Sequence, residues 1–137
     1  WNEIKYKAEL IKNYGQIPEV ECLPSQLNQV FLNLLVNAAQ AIKERGTITI
    51  STGLSGDQVW ITIADSGQGI APEHLTRIFE PFFTTKPVGV GTGLGLSISY
   101  DIIVNQHHGQ ISVESDLGKG AIFKITLPIK QKLIEEA

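Results

Sequence analysis

Residues 24–46 read PSQLNQVFLNLLVNAAQAIKERG, and this stretch sets the architecture. Pro24 and Ser25 signal a helix start and Gly46 its stop. Between them Leu27, Val30, Phe31, Leu34, Leu35, Ala38 and Ile42 recur at helical spacing, an apolar stripe about five turns long that must pack on another layer. The partners lie downstream: residues 47–52, 59–64, 110–114 and 122–127 have the β-branched and aromatic content of strands, and residues 94–107 read as a second long helix. Upstream, residues 5–13 and 20–23 flank the turn formers Gly15 and Pro18 and predict an opening hairpin. Strands outnumber helices and their spacing favours antiparallel pairing, so the expected class is α+β: a two-layer α/β sandwich with helices on one face of a mixed, mainly antiparallel sheet. Residues 130–137 form a charged end with no motif.

Composition sets the outer bounds. The chain has 137 residues, 42% hydrophobic and 18% charged, which fits one domain over 1–137 with a core of its own. Net charge is −3 and the Lys and Arg residues are scattered. There is no basic face for nucleic acid or anionic lipid. Cys22 is the single cysteine, which rules out an intrachain disulfide and suits a reducing, cytoplasmic setting as a small packed side chain. No apolar run approaches the ~18 residues that span a bilayer. The chain opens on Trp1 rather than Met, so a fragment of a longer protein, monomeric in isolation, is expected.

Three local patterns carry chemistry. Residues 79–98, FEPFFTTKPVGVGTGLGLSI, place glycines at 89, 91, 93 and 95 ahead of a helical segment. Glycines followed by a helix start let backbone N–H groups approach an anion. The spacing matches neither the dinucleotide fingerprint nor the P-loop, so a flexible surface loop and a phosphate cradle both fit. Asn33 and Asn37 lie four apart on the first long helix and share a face. They are either a helix edge turned to water or, through an amide oxygen, a ligand for Mg2+. Asp65 stands where residues 59–64 give way to Gly67 and Gly69. It either caps that turn or accepts a hydrogen bond from an exocyclic amine such as that of adenine.

In this order, and with Phe79, Glu80, Pro81, Phe82 and Phe83 before the last pattern, the chain resembles the ATP-binding catalytic domain of sensor histidine kinases, within the superfamily that includes DNA gyrase, Hsp90 and MutL. Asn33 to Ala38 is similar to the asparagine box, Asp65 to Ile70 to the first glycine box, Phe79 to Phe83 to the phenylalanine box and Gly91 to Leu96 to the second glycine box; Gly118 to Phe123 fits too. The resemblance runs over residues 20–129. It implies the Bergerat ATP-binding fold, with nucleotide between helices and a mobile lid at 84–91. It implies Asn37 as the Mg2+ ligand, Asn33 assisting at the phosphates, Asp65 reading adenine, and Gly67, Gly69 and Ile70 flanking the ring. Gly91, Thr92, Gly93, Leu94, Gly95 and Leu96 would meet the phosphates.

The departures are as informative. Many members carry Lys where this chain has Gln40, and Lys86 is expected to supply that cation at the β- or γ-phosphate; Arg77 is another candidate. A hydroxyl common in the family after Gly120 is replaced by Ala121, at a net loss of about 1 kcal/mol for such a bond. The phenylalanines either anchor the lid in the core or meet the ligand. ATPases of the superfamily place a general-base Glu four residues before the metal-binding Asn, and this chain has Asn33 there. An amide accepts no proton at neutral pH, so transfer is favoured over hydrolysis.

None of His74, His107 and His108 has the setting of a family phosphoacceptor; His107 and His108 instead precede Gly109 as a helix end. The resemblance therefore implies γ-phosphoryl transfer from MgATP to a histidine on a separate dimerisation and phosphotransfer domain of the same parent, which passes it to a response regulator; a membrane-bound and a soluble parent both fit. An ATPase switch and a non-catalytic binding module of the same fold stay open.

Overall fold

The computed structural model describes residues 8–81, 83 and 94–130. Strand β1 (Ala8–Tyr14) is followed by helix α1 (Pro24–Ala41), strands β2 (Gly46–Ser55) and β3 (Gln58–Asp65) and a single-turn helix α2 (Pro72–Leu75). Helix α3 (Gly95–Tyr100) runs on as a π-helical segment (Asp101–Gln106), and strands β4 (Gln110–Asp116) and β5 (Gly120–Pro128) follow. The five strands form one sheet in the order β1-β2-β3-β5-β4. Three of its pairings are antiparallel and β1–β2 is parallel, so the expected mixed, mainly antiparallel sheet is present.

The helices cover one face of it. Leu27, Val30, Leu34, Ala38 and Ala39 of α1 are buried against Ile61, Ile63, Phe123, Ile125 and Leu127 of the central strands. Because strand side chains alternate, Val59, Ile61 and Ile63 all point to the helical layer, and so does Asp65 at the end of β3. Phe79 joins this core, its ring 5.6 Å from Tyr100 and 6.4 Å from Phe123 between centroids.

The opening hairpin is not formed. Residues 20–23 make no strand, and β1 pairs instead with β2 from Ala8↔Gly46 to Tyr14↔Thr52. Four residues after Pro18 offer a poorer ladder than the β-branched run 47–50, which α1, as a crossover helix, brings alongside β1. Residue 21 is held elsewhere, its N–H donating to Ile129 O at 2.9 Å. Cys22 lies in a bend ahead of α1, half-buried, not in a strand. Helix α1 ends at Ala41, ahead of the predicted stop at Gly46, which opens β2. The predicted helix over 94–107 is there, but from Asp101 its backbone widens to π spacing.

Candidate functional site

Asp65 is a carboxylate among the apolar core positions of β3. It is 7% exposed, and its Oδ1 accepts the Gly67 N–H at 2.8 Å. Burial raises its pKa above the usual carboxylate range, opposed by backbone hydrogen bonds from Gly67 and Ala121. A carboxylate has about four lone-pair sites, so two N–H donors leave capacity for a further donor.

The loop after Asp65 is held on three sides. Gln68 N–H donates to Ala41 O at the end of α1 (3.0 Å), and Ser66 N–H to Thr47 O on β2 (3.1 Å). The Ser115 hydroxyl accepts the Ile70 N–H at 2.7 Å and donates to Gly120 O at 2.7 Å. This packing explains both glycines. At Gly67 a Cβ would lie 2.5 Å from Ala41 O, and at Gly69, where φ is 78°, it would collide with Asp116 O. Each lets backbone meet backbone in this turn.

Asn33 sits mid-helix, about two turns before Ala41. Its Nδ2 donates to Gly95 O at 3.2 Å and to Ser99 Oγ at 3.3 Å, and its Oδ1 accepts from Gln29 Nε2 at 2.9 Å. It joins α1 to α3, which brings Leu94, Gly95 and Leu96 to α1. Among the described residues nothing crowds Gly95: a Cβ there would meet the Asn33 side chain at an ordinary 3.8 Å.

Asn37 lies between these clusters. With a rise of 1.5 Å per residue it stands about 6 Å along the axis from Asn33 and about 6 Å from Ala41. It is half-buried, and both Asn37 and Gln40 have partners within the fold. Helix α1 thus carries an α3 contact, an amide and the Asp65 loop contact at successive turns. The Arg77 guanidinium lies 4.6 Å from the Phe83 ring centroid and pairs at the surface with Glu80 at 3.5 Å. Phe83 also packs on His74. Phe82, Lys86, Gly89, Gly91, Thr92 and Gly93, and with them the expected lid over 84–91, lie outside the described residues. Among the described residues no group of three His, Cys, Asp or Glu could hold a metal ion, and no helix is long and apolar enough to cross a membrane.

Sequence reading missed Ser99 and Ser115, since a lone serine in a helix or strand carries no pattern. It also understated His107, which is 1% exposed and bonded at both ring nitrogens.

This sheet, one face of helices and a buried carboxylate closing a central strand belong to a nucleotide-binding class, and sequence comparison makes the class definite. The profile of the histidine kinase-, DNA gyrase B- and HSP90-like ATPases matches residues 22–131, and the chain belongs to that family. It is 47% identical over 135 residues to sporulation kinase E of Bacillus subtilis, covering 98% of this chain and 18% of that protein. The nucleotide-free catalytic domain of histidine kinase ThkA superposes with a TM-score of 0.82 at 35% identity, over 93% of this chain and 85% of that one. ThkA in complex with the response regulator TrrA matches with a TM-score of 0.78 at 31% identity, over 94% of this chain and 36% of that one. The chain spans 18% to 24% of the length of the first curated relatives it matches.

Proposed function

We propose that this chain is the catalytic domain of a histidine kinase, binding MgATP and donating its γ-phosphoryl group to a histidine on a separate dimerisation and phosphotransfer domain of the same parent, with a response regulator downstream and the domain itself in the cytoplasm. The observation that carries it is the order of features along α1: Asn33 at the start of α3, Asn37 one turn on, and Ala41 against the loop of Asp65.

The residues present fit the ligand. Asp65 keeps acceptor capacity for an exocyclic amine at the end of a strand rigid enough to discriminate. Gly67, Gly69 and Ile70 hold that end in place. Asn37 offers an amide to a hard cation, and bound Mg2+ supplies charge neutralisation at the phosphates. Glycine at 95, which contacts among the described residues do not require, leaves backbone open beside Asn33; with Leu94 and Leu96 it supports the assignment of Gly91, Thr92 and Gly93 just before it to the phosphates. Lys86 supplies the cation that Gln40 does not.

Transfer is favoured over hydrolysis by Asn33. The position of the ATPase general base holds an amide already committed to Gly95, Ser99 and Gln29, with no basic site to take a proton from water. A neutral imidazole needs no such base, and the domain's part becomes positioning and charge stabilisation.

The test is radiolabel transfer from γ-labelled ATP in the parent kinase. Acid-labile, alkali-stable label on a histidine outside this domain is expected, with Lys86→Ala lowering the rate about tenfold, as loss of a charge-assisted hydrogen bond does. Steady phosphate release by the isolated chain would favour an ATPase, and failure to bind MgATP a non-catalytic module.

A further inference from the structure

Ser99 has no exposed surface. Its hydroxyl donates to Gly95 O at 2.8 Å and accepts from Asn33 Nδ2 at 3.3 Å, while the same Nδ2 reaches Gly95 O at 3.2 Å. A serine bonding back to the carbonyl four residues earlier is ordinary in helices. Here, however, a side chain from another helix closes the arrangement into a triangle of one amide, one hydroxyl and one carbonyl. The hydroxyl uses its single proton and an acceptor site within it. Two residues later the helix changes to π spacing, so the segment between Gly95 and Asp101 is the only α-helical turn and a half that the clasp must hold.

We infer that Ser99 is a positioning residue for the phosphate end of the nucleotide: with Asn33 it fixes Gly95 against α1, and so sets the distance from the Gly95 backbone to Asn37, one turn from Asn33. Asp65 lies at the far end of α1 and is untouched by the clasp. The inference rests on the nucleotide site proposed above and adds to it a residue acting through its neighbours. Loss of the hydroxyl should therefore be felt by phosphates and not by the base.

Binding of adenosine, ADP and ATP to the 137-residue chain, with Mg2+, separates the possibilities. Ser99→Ala is expected to weaken ATP and ADP about three- to tenfold, the span of one net hydrogen bond, and to leave adenosine binding within twofold of wild type. The double variant Asn33→Ala/Ser99→Ala should bind ATP no more weakly than Asn33→Ala alone, because both remove one clasp. Ser99→Cys, close in size with a weaker donor, should fall between wild type and Ser99→Ala and serves in its place if that variant does not fold. Equal losses for adenosine and ATP, no loss for either, or additive effects of the two substitutions overturn the inference alone. A wild-type chain that binds no ATP overturns the proposed function, and this inference with it.

Discussion

His107 and Leu23 meet across the helical layer: the backbone N–H of Leu23, the residue before α1, donates to His107 Nε2 at 2.9 Å. A backbone N–H can only donate, so Nε2 carries no proton and Nδ1–H donates to Ile102 O at 2.8 Å. The imidazole is thus a neutral bridge with a fixed tautomer. It joins the end of the π segment to the start of a helix that has no side-chain cap of its own.

Removing the bridge should be expensive. His107→Ala leaves the Leu23 N–H and the Ile102 carbonyl unpaired around a new cavity, and a loss of about 3 kcal/mol is expected. Urea unfolding of the variant checks it; a loss under 1 kcal/mol would show that water replaces the ring.

Its neighbour should behave in the opposite way. His108 has φ of 56°, a left-handed conformation that costs a side chain roughly 1 kcal/mol or more. His108→Gly removes that cost and restores some unfolded-state entropy, so a net gain of about 0.5 kcal/mol is expected in the same unfolding assay.

Asp65 predicts a pH dependence. Its carboxyl has a higher pKa in the folded chain than in the unfolded one, so the folded state holds its proton more tightly. The associated stability is fully present below the usual carboxylate range near ~4 and is lost as pH rises through the raised pKa. Melting temperatures of wild type and Asp65→Asn, measured from acid to neutral pH, should show the wild type losing ground to the variant as pH increases. A gap that widens in favour of wild type would mean that the two backbone donors outweigh burial.

Gly69→Ala combines a φ of 78° with a collision against Asp116 O. It is expected to cost more than about 2 kcal/mol and to weaken ATP, because the displaced loop carries the Asp65 turn. Gly95→Ala has room for its methyl group among the described residues and is expected to gain about 0.5 kcal/mol. Parallel calorimetry of the two variants distinguishes a glycine kept for the fold from one that packing does not require.

The contrast between those glycines marks where sequence reading stops. Helix α1 was legible because seven apolar residues hold one period over five turns, and β2, β3, β4 and β5 because β-branched residues cluster between turn formers. Partner choice for β1 was not, since it depends on a crossover that only the packed helix creates. The widening at Asp101 was also hidden: a π turn shifts the apolar spacing by one residue within a segment too short to show it. Asn33, Asn37, Asp65, Gly67 and Gly69 were found as a pattern, but what each side chain or missing side chain touches depends on residues as distant as Ala41, Ser99 and Asp116. The pattern pointed to the family; the contacts show what holds each of these residues in place.

The parallel pairing of β1 also constrains the order of assembly. The β2–β3 ladder closes across Gly56 and Asp57, and β4–β5 across three residues, so both hairpins close over short loops. Ala8 meets Gly46 only after the whole of α1 has been laid down between them. Late docking of the first strand is the expected order, and amide-exchange pulse labelling during refolding, with β1 protected after the two hairpins, checks it. The edge that comes first in sequence is then the edge that waits longest for its partner.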